Sequence, residues 1–159
     1  MSPRAAVLLE EFGFEEVWDY VDGKMDWLSR GLAIEGEEAN EMTAGIMALE
    51  PAVIDLQMSP NEAVTVIDHS DRPIGVVVAD GGVVVGLLTR EAADKAADGT
   101  IESAMESGPK TYRANGDPAE ALDYMNRHDV DQVVVSGPRG KLIGLLYRDV
   151  AEGEVNSES

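Results

Sequence analysis

A chain of 159 residues, 44% hydrophobic and 27% charged, has the size of one ordinary domain or of two small fused modules with a buried core. It has no cysteine, which excludes disulfides, thiolate metal sites and cysteine nucleophiles in this sequence and is compatible with a cytoplasmic location. Asp and Glu outnumber Lys and Arg 31 to 12; the net charge of −19 repels phosphate backbones and anionic lipid, so neither nucleic acid nor membrane is an expected partner.

Residues 1–36 read as a helix-strand-helix appendage. Ser2-Pro3 places a capping hydroxyl before proline at the first helical position. Ala5, Ala6, Leu8, Leu9 and Phe12 give that helix an apolar face, and Gly13 ends it. A short strand is expected over Glu16 to Val21, a turn at Asp22-Gly23, and a helix from Met25 to Arg30 that stops at Gly31. Residues 37–46 are small and acidic and read as a linker or an approach helix.

Residues 47–99 and 100–153 read as two copies of one unit, with 154–159 as a disordered tail. Shifting the chain by 58 positions lays 43–93 on 101–151 without a gap and gives 14 identical pairs. They include Met47/Met105, Pro60/Pro118, Val76/Val134, Gly86/Gly144, Leu88/Leu146 and Arg90/Arg148. Random pairing gives roughly 3 to 4 at ordinary residue frequencies. Each copy predicts an extended segment (Ala52 to Leu56; Lys110 to Ala114). A helix follows, capped by Ser59-Pro60 or Asp117-Pro118, with Glu62 or Glu120 in its first turn. The first of these helices is expected to be shorter or distorted, because Val64, Thr65, Val66 and Ile67 are β-branched. Next come two strands (Ile74 to Val78 and Val83 to Leu88; Gln132 to Val135 and Lys141 to Leu146) joined by turns at Gly81-Gly82 and Pro138-Arg139-Gly140. A closing helix starts at Arg90 or Arg148. The fold class is α+β, and two sheets of three short strands should bury themselves against each other.

Ala104-Met105-Glu106-Ser107, Gly116-Asp117-Pro118, Ala119 to Met125, His128 to Val135 and Gly140 to Leu146 together resemble a complete CBS (Bateman-type) motif. Met47, Met58-Ser59-Pro60, Arg72 to Val78 and Gly82 to Thr89 resemble a more divergent second one. The resemblance covers about two thirds of the chain, and order, spacing and duplication carry it more than any single residue. It implies two CBS repeats in a pseudo-twofold arrangement with clefts between them, adenosine-containing ligands (AMP, ATP or S-adenosylmethionine), and a homodimer. Nucleotide-binding members carry Gly, two apolar residues, Ser or Thr, two residues and Asp. Here Gly86-Leu87-Leu88-Thr89 is followed by Ala92 at the Asp position. The second copy has Tyr147 at the hydroxyl position, Val150 at the Asp position and Asp149 one residue early. The resemblance therefore makes Thr89, Arg90, Arg148 and Asp149 the ligand-binding candidates, the arginines toward phosphates, while neither copy has the full ribose clamp.

Ser2, Ala5-Ala6, Leu9, Gly13-Phe14, Val17, Tyr20, Gly23, Trp27, Gly31-Leu32 and Glu35-Gly36 resemble the last third of a rhodanese-like domain. The family's catalytic cysteine loop would precede Met1, so sulfur transfer is not expected of these residues. Either a longer protein is read from an internal start, the expected case, or the remnant is kept as an appendage. No nucleophile–base pattern surrounds His69 or His128, and the carboxylates lack metal-loop spacing. The sequence thus points to a non-catalytic regulatory module. Its alternatives are the C-terminal part of a rhodanese-CBS protein and a ligand-free dimerisation scaffold.

Overall fold

The structure, a computed structural model, describes residues 9–14, 16–17 and 43–157. In the appendage, residues 9–11 are helical. Gly13, at φ +89°, closes the turn: its N–H donates to Glu10 O and that of Phe14 to Leu9 O, the paired bonds of a glycine-terminated helix. Phe12, placed by the sequence on that helix's apolar face, is 73% exposed. Glu16 and Val17 have no regular structure. The rest of the expected strand, the helix from Met25 to Arg30 and most of the rhodanese-like motif lie outside the described residues.

The first repeat runs β1 (Ala52–Asp55), α2 (Pro60–Asp68), β2 (Ile74–Ala79), β3 (Val83–Thr89) and α3 (Arg90–Lys95), after an approach helix α1 (Ala44–Met47). The second runs α4 (Ile101–Ala104), β4 (Glu106–Ser107), β5 (Thr111–Arg113), α5 (Pro118–His128), β6 (Gln132–Ser136), β7 (Leu142–Tyr147) and α6 (Arg148–Ser157). Helical backbone thus continues to Ser157, where the sequence reading began a disordered tail at 154. Ser59 and Glu62 form a reciprocal capping box at the start of α2, and Asp117 accepts from Ala119 N–H at the start of α5. The β-branched run leaves α2 two residues shorter than α5, nine against eleven.

In both sheets the first strand is parallel to the second and the second antiparallel to the third. Both hairpins shift register at the same place, Val77/Val78 and Val135/Ser136, one repeat length apart. Beyond the expected three strands, β4 adds a fourth to the first sheet along β3, and Leu49 makes the matching bridge to Leu145 on β7.

Side-chain alternation sorts three cores. Ile74, Val76 and Val78 of β2 meet Val134, Leu145 and Tyr147 between the sheets. Val77 and Leu88 face outward onto α2 and α3 through Ala63, Ile67 and Ala93. Val133, Val135 and Leu146 face α5 and α6 through Ala121, Met125 and Ala151. The result is helices, sheet, sheet, helices, with the expected face-to-face burial.

The approach helices cross over. Ala44 and Met47 of α1 are buried in the second repeat's core, and Ile101 of α4 in the first repeat's. Each lead-in then passes over the last strand of the repeat it has joined, where Gly86 and Gly144 make room. A Cβ on Gly86 would lie 2.5 Å from Met105 Sδ, and one on Gly144 2.7 Å from Leu49 O.

Candidate functional site

A cleft of about 760 Å³ opens between the repeats. Residues 49–53, leading into β1, form one wall. Val66, His69, Ser70, Asp71 and Arg72, at the C-terminal end of α2, form another, and Tyr147 of the second repeat closes it. Leu49 and Val53 remain 45% and 42% exposed, leaving apolar surface at the cleft for a flat ring.

The end of α2 shapes the second wall. The His69 N–H donates to Val66 O and the Ser70 N–H to Ile67 O. The Ser70 hydroxyl lies 2.8 Å from Ile67 O and 2.6 Å from Arg72 O, folding the loop tightly. His69 Nδ1 sits 2.6 Å from Thr65 O. That loop aims Arg72 across to the other repeat. Its guanidinium lies 4.4 Å from the Tyr147 ring centroid and donates to Asp149 Oδ2 at 2.6 Å. Asp149 Oδ1 accepts from the Val150 N–H in the first turn of α6. The bond from Arg72 holds the Asp149 carboxyl below the ordinary carboxylate range, and the same bond raises Arg72. Burial pushes the Tyr147 phenol up, so it stays neutral in the inter-sheet core.

Of the four residues singled out from sequence, Asp149 lies beside this cleft through Arg72. Thr89 is the N-cap of α3, its hydroxyl accepting from the Ala92 N–H. Arg90 is ion-paired with Asp68, the last residue of α2, at 3.0 Å, which raises its pKa. Arg148 donates to Met125 O and Val130 O at the C-terminal end of α5. Its Nε is buried without a hydrogen bond, although Asp131 Oδ1 lies 3.5 Å away. The two arginines therefore share one role in this structure. Each ties a closing helix to the C-terminal end of the preceding long helix, where the backbone dipole favours a cation. Their N–H groups make matching bonds, Arg90 to Pro73 O and Arg148 to Asp131 O.

Sequence reasoning missed Arg72, His69 and residues 49–53 as site residues. The repeat offset held a signal that the two copies differ at these positions. Ala52, Val66 and Ser70 of the open cleft correspond to Lys110, Tyr124 and His128 in the other copy. There Tyr124 stacks on His128 with ring centroids 4.3 Å apart, and Lys110 lies 5.8 Å from the Tyr124 centroid. The copies have diverged: alanine, valine and serine line this cleft where the other repeat carries lysine, tyrosine and histidine.

The family model described as CBS domain matches residues 101–149. Among solved structures, the CBS domain pair of protein MJ0100 in complex with 5-methylthioadenosine and S-adenosyl-L-methionine is similar at 16% identity and TM-score 0.64, covering 74% of this chain and 98% of that one. CBSX2 in complex with AMP, a protein whose other structure is from Arabidopsis thaliana, is similar at 17% identity and TM-score 0.63, covering 75% and 100%. The cytosolic domain of the Mg2+ channel MgtE in complex with ATP is similar at 18% identity and TM-score 0.65 over 70% of this chain and 48% of that one. No curated protein matches in sequence. At these identities the structures speak for the fold. Residues 101–149 match a CBS domain, and the chain has the fold of a CBS-domain pair.

Proposed function

We propose that this chain is a regulatory CBS pair that takes an adenosine-containing ligand in the cleft formed by residues 49–53, the end of α2 and Tyr147. The observation that carries this reading is the 760 Å³ cleft, bounded by both repeats and bridged by Arg72 and Asp149. Its volume lies within the ordinary range for small-molecule sites. Three similar folds were solved with AMP, with ATP, and with 5-methylthioadenosine and S-adenosyl-L-methionine. Leu49 and Val53 offer the apolar surface a purine ring needs. Arg72 is placed to exchange Asp149 for a ligand phosphate, and the freed Asp149 carboxylate to accept from ribose hydroxyls. Ligand binding would then replace the bridge between the repeats and shift their packing, which is the regulatory step. No catalytic family is indicated, and the role is non-catalytic. A homodimer in the cytoplasm is part of the same reading, with Phe12 and Phe14, 73% and 60% exposed, available to a second copy.

Isothermal titration with AMP, ATP and S-adenosylmethionine tests it. At least one should bind, and Val66→Tyr, which copies Tyr124 of the other repeat, should abolish that binding without unfolding the chain. Absence of heat with all three rejects the adenosine reading.

A further inference from the structure

Among the described residues, cations without an acidic partner occur only in the second repeat. Of nine Lys and Arg side chains among the described residues, Arg72, Arg90, Lys95, Arg127 and Arg148 are ion-paired. The four without an acidic partner, Lys110, Arg113, Arg139 and Lys141, all belong to the second repeat. Two of them line a second cavity of about 510 Å³, far along the strands from the inter-repeat cleft, at the C-terminal end of β5 and the β6–β7 turn. Thr111, Arg113, Asn115, Ser136 and Arg139 supply its polar side chains, and no acid lines it.

These groups are built toward the cavity without being used by the protein. None of the five polar side chains makes a hydrogen bond within the described structure. Ser136 is only 7% exposed, the one buried polar residue among those described, and it stands at the register shift of β6, where a bulge re-aims a side chain. Arg139 sits at φ +62°, a left-handed conformation unfavourable for a side chain. The first repeat puts Gly81 at the equivalent place with φ +77°, so the turn itself asks for glycine. In that repeat Asp55 and Val78 stand where Arg113 and Ser136 stand here. The donors thus belong to one copy only and are not a requirement of the fold.

We infer that this cavity binds a phosphorylated small molecule, the two guanidinium groups clamping a phosphoryl or pyrophosphoryl group that Ser136, Thr111 and Asn115 help to hold. Guanidinium forks match phosphate oxygens in pairs, and here they need not first release a protein acid. The site is separate from the adenosine cleft and does not depend on it.

Pyrophosphate is the probe, titrated calorimetrically into the full chain at fixed ionic strength. The parent should bind it, and Arg113→Gln and Arg139→Gly should each weaken binding at least about tenfold. Arg139→Gly should meanwhile keep or raise the unfolding temperature, since glycine relieves the turn, so its loss of binding cannot come from misfolding. Arg127→Gln, outside both cavities and paired only along its own helix, should bind pyrophosphate like the parent. Three outcomes overturn the site: pyrophosphate binding no better than sulfate, both cavity variants binding like the parent, or Arg127→Gln losing binding instead. Succinate binding as well as pyrophosphate would overturn the phosphoryl assignment. An adenosine titration that fails leaves this site standing.

Discussion

Arg72 and Asp149 lie 77 positions apart in the chain, yet a guanidinium N–H of one donates to a carboxylate oxygen of the other at 2.6 Å. The bond joins the loop after α2 in the first repeat to the first turn of α6 in the second, with the Tyr147 ring beneath the guanidinium.

That bond sets a pH dependence. The Asp149 pKa is lowered on folding, chiefly by the bond from Arg72. The folded state therefore releases this proton more readily than the unfolded chain. The stabilisation is complete above the ordinary aspartate value of about 4 and is lost as pH falls through the lowered folded value. Both side chains are partly exposed, at 40% and 60%, so the effect is small and sensitive to salt. A double-mutant cycle of Arg72→Gln and Asp149→Asn should show favourable coupling in thermal unfolding at pH 7 that weakens as pH falls below about 4. Coupling undiminished at the acid end would show that the carboxylate bond is not its source.

The crossed approach helices make the repeats mutually dependent. Ile101 is fully buried in the first repeat's core, and Met47 is 6% exposed in the second's. Cutting the chain between Gly99 and Thr100 leaves the first fragment without Ile101 and the second without Met47. Each fragment alone should lack cooperative thermal unfolding by circular dichroism, and mixing the two should restore it. Independent folding of either piece would mean that the exchanged helices contribute little.

Glycines that look alike in the sequence should respond differently to alanine. At Gly144 a Cβ would meet Leu49 O at 2.7 Å and Ala48 Cβ at 2.9 Å, so backbone must move. Gly144→Ala should cost about 1–3 kcal/mol in denaturant unfolding, the range for an overpacked interior. At Gly81 a Cβ would meet nothing within 4 Å, but φ is +77°. Gly81→Ala should cost about 1–2 kcal/mol, the left-handed penalty alone. A harmless Gly144→Ala would show that the lead-in segment does not press on β7 in solution.

The three main strands of each repeat, the capped helices and both closing helices were legible because their signals are local; β4 was not. Ser59-Pro60 and Asp117-Pro118 cap their helices through nearby N–H groups, and the valine runs alternate with the pleat whatever they face. The site was less legible. Arg72 carried no motif, and its importance comes from a residue in the other repeat. Thr89, Arg90 and Arg148 carried a family pattern, yet here they cap or anchor helix ends, a matter of which acid or carbonyl lies in reach.

The sequence by itself determined that there are two copies of one unit and that each copy alternates strands with helices in the same order. Tertiary structure alone decided that α1 and α4 exchange partners, because a short apolar helix fits whichever core has room for it, and neighbouring residues do not say which. It also decided that Arg72 faces Asp149 and that Arg113 and Arg139 share a cavity free of acids. Those relationships depend on how two sheets stack, and stacking is set by the whole buried surface and by no single stretch of chain.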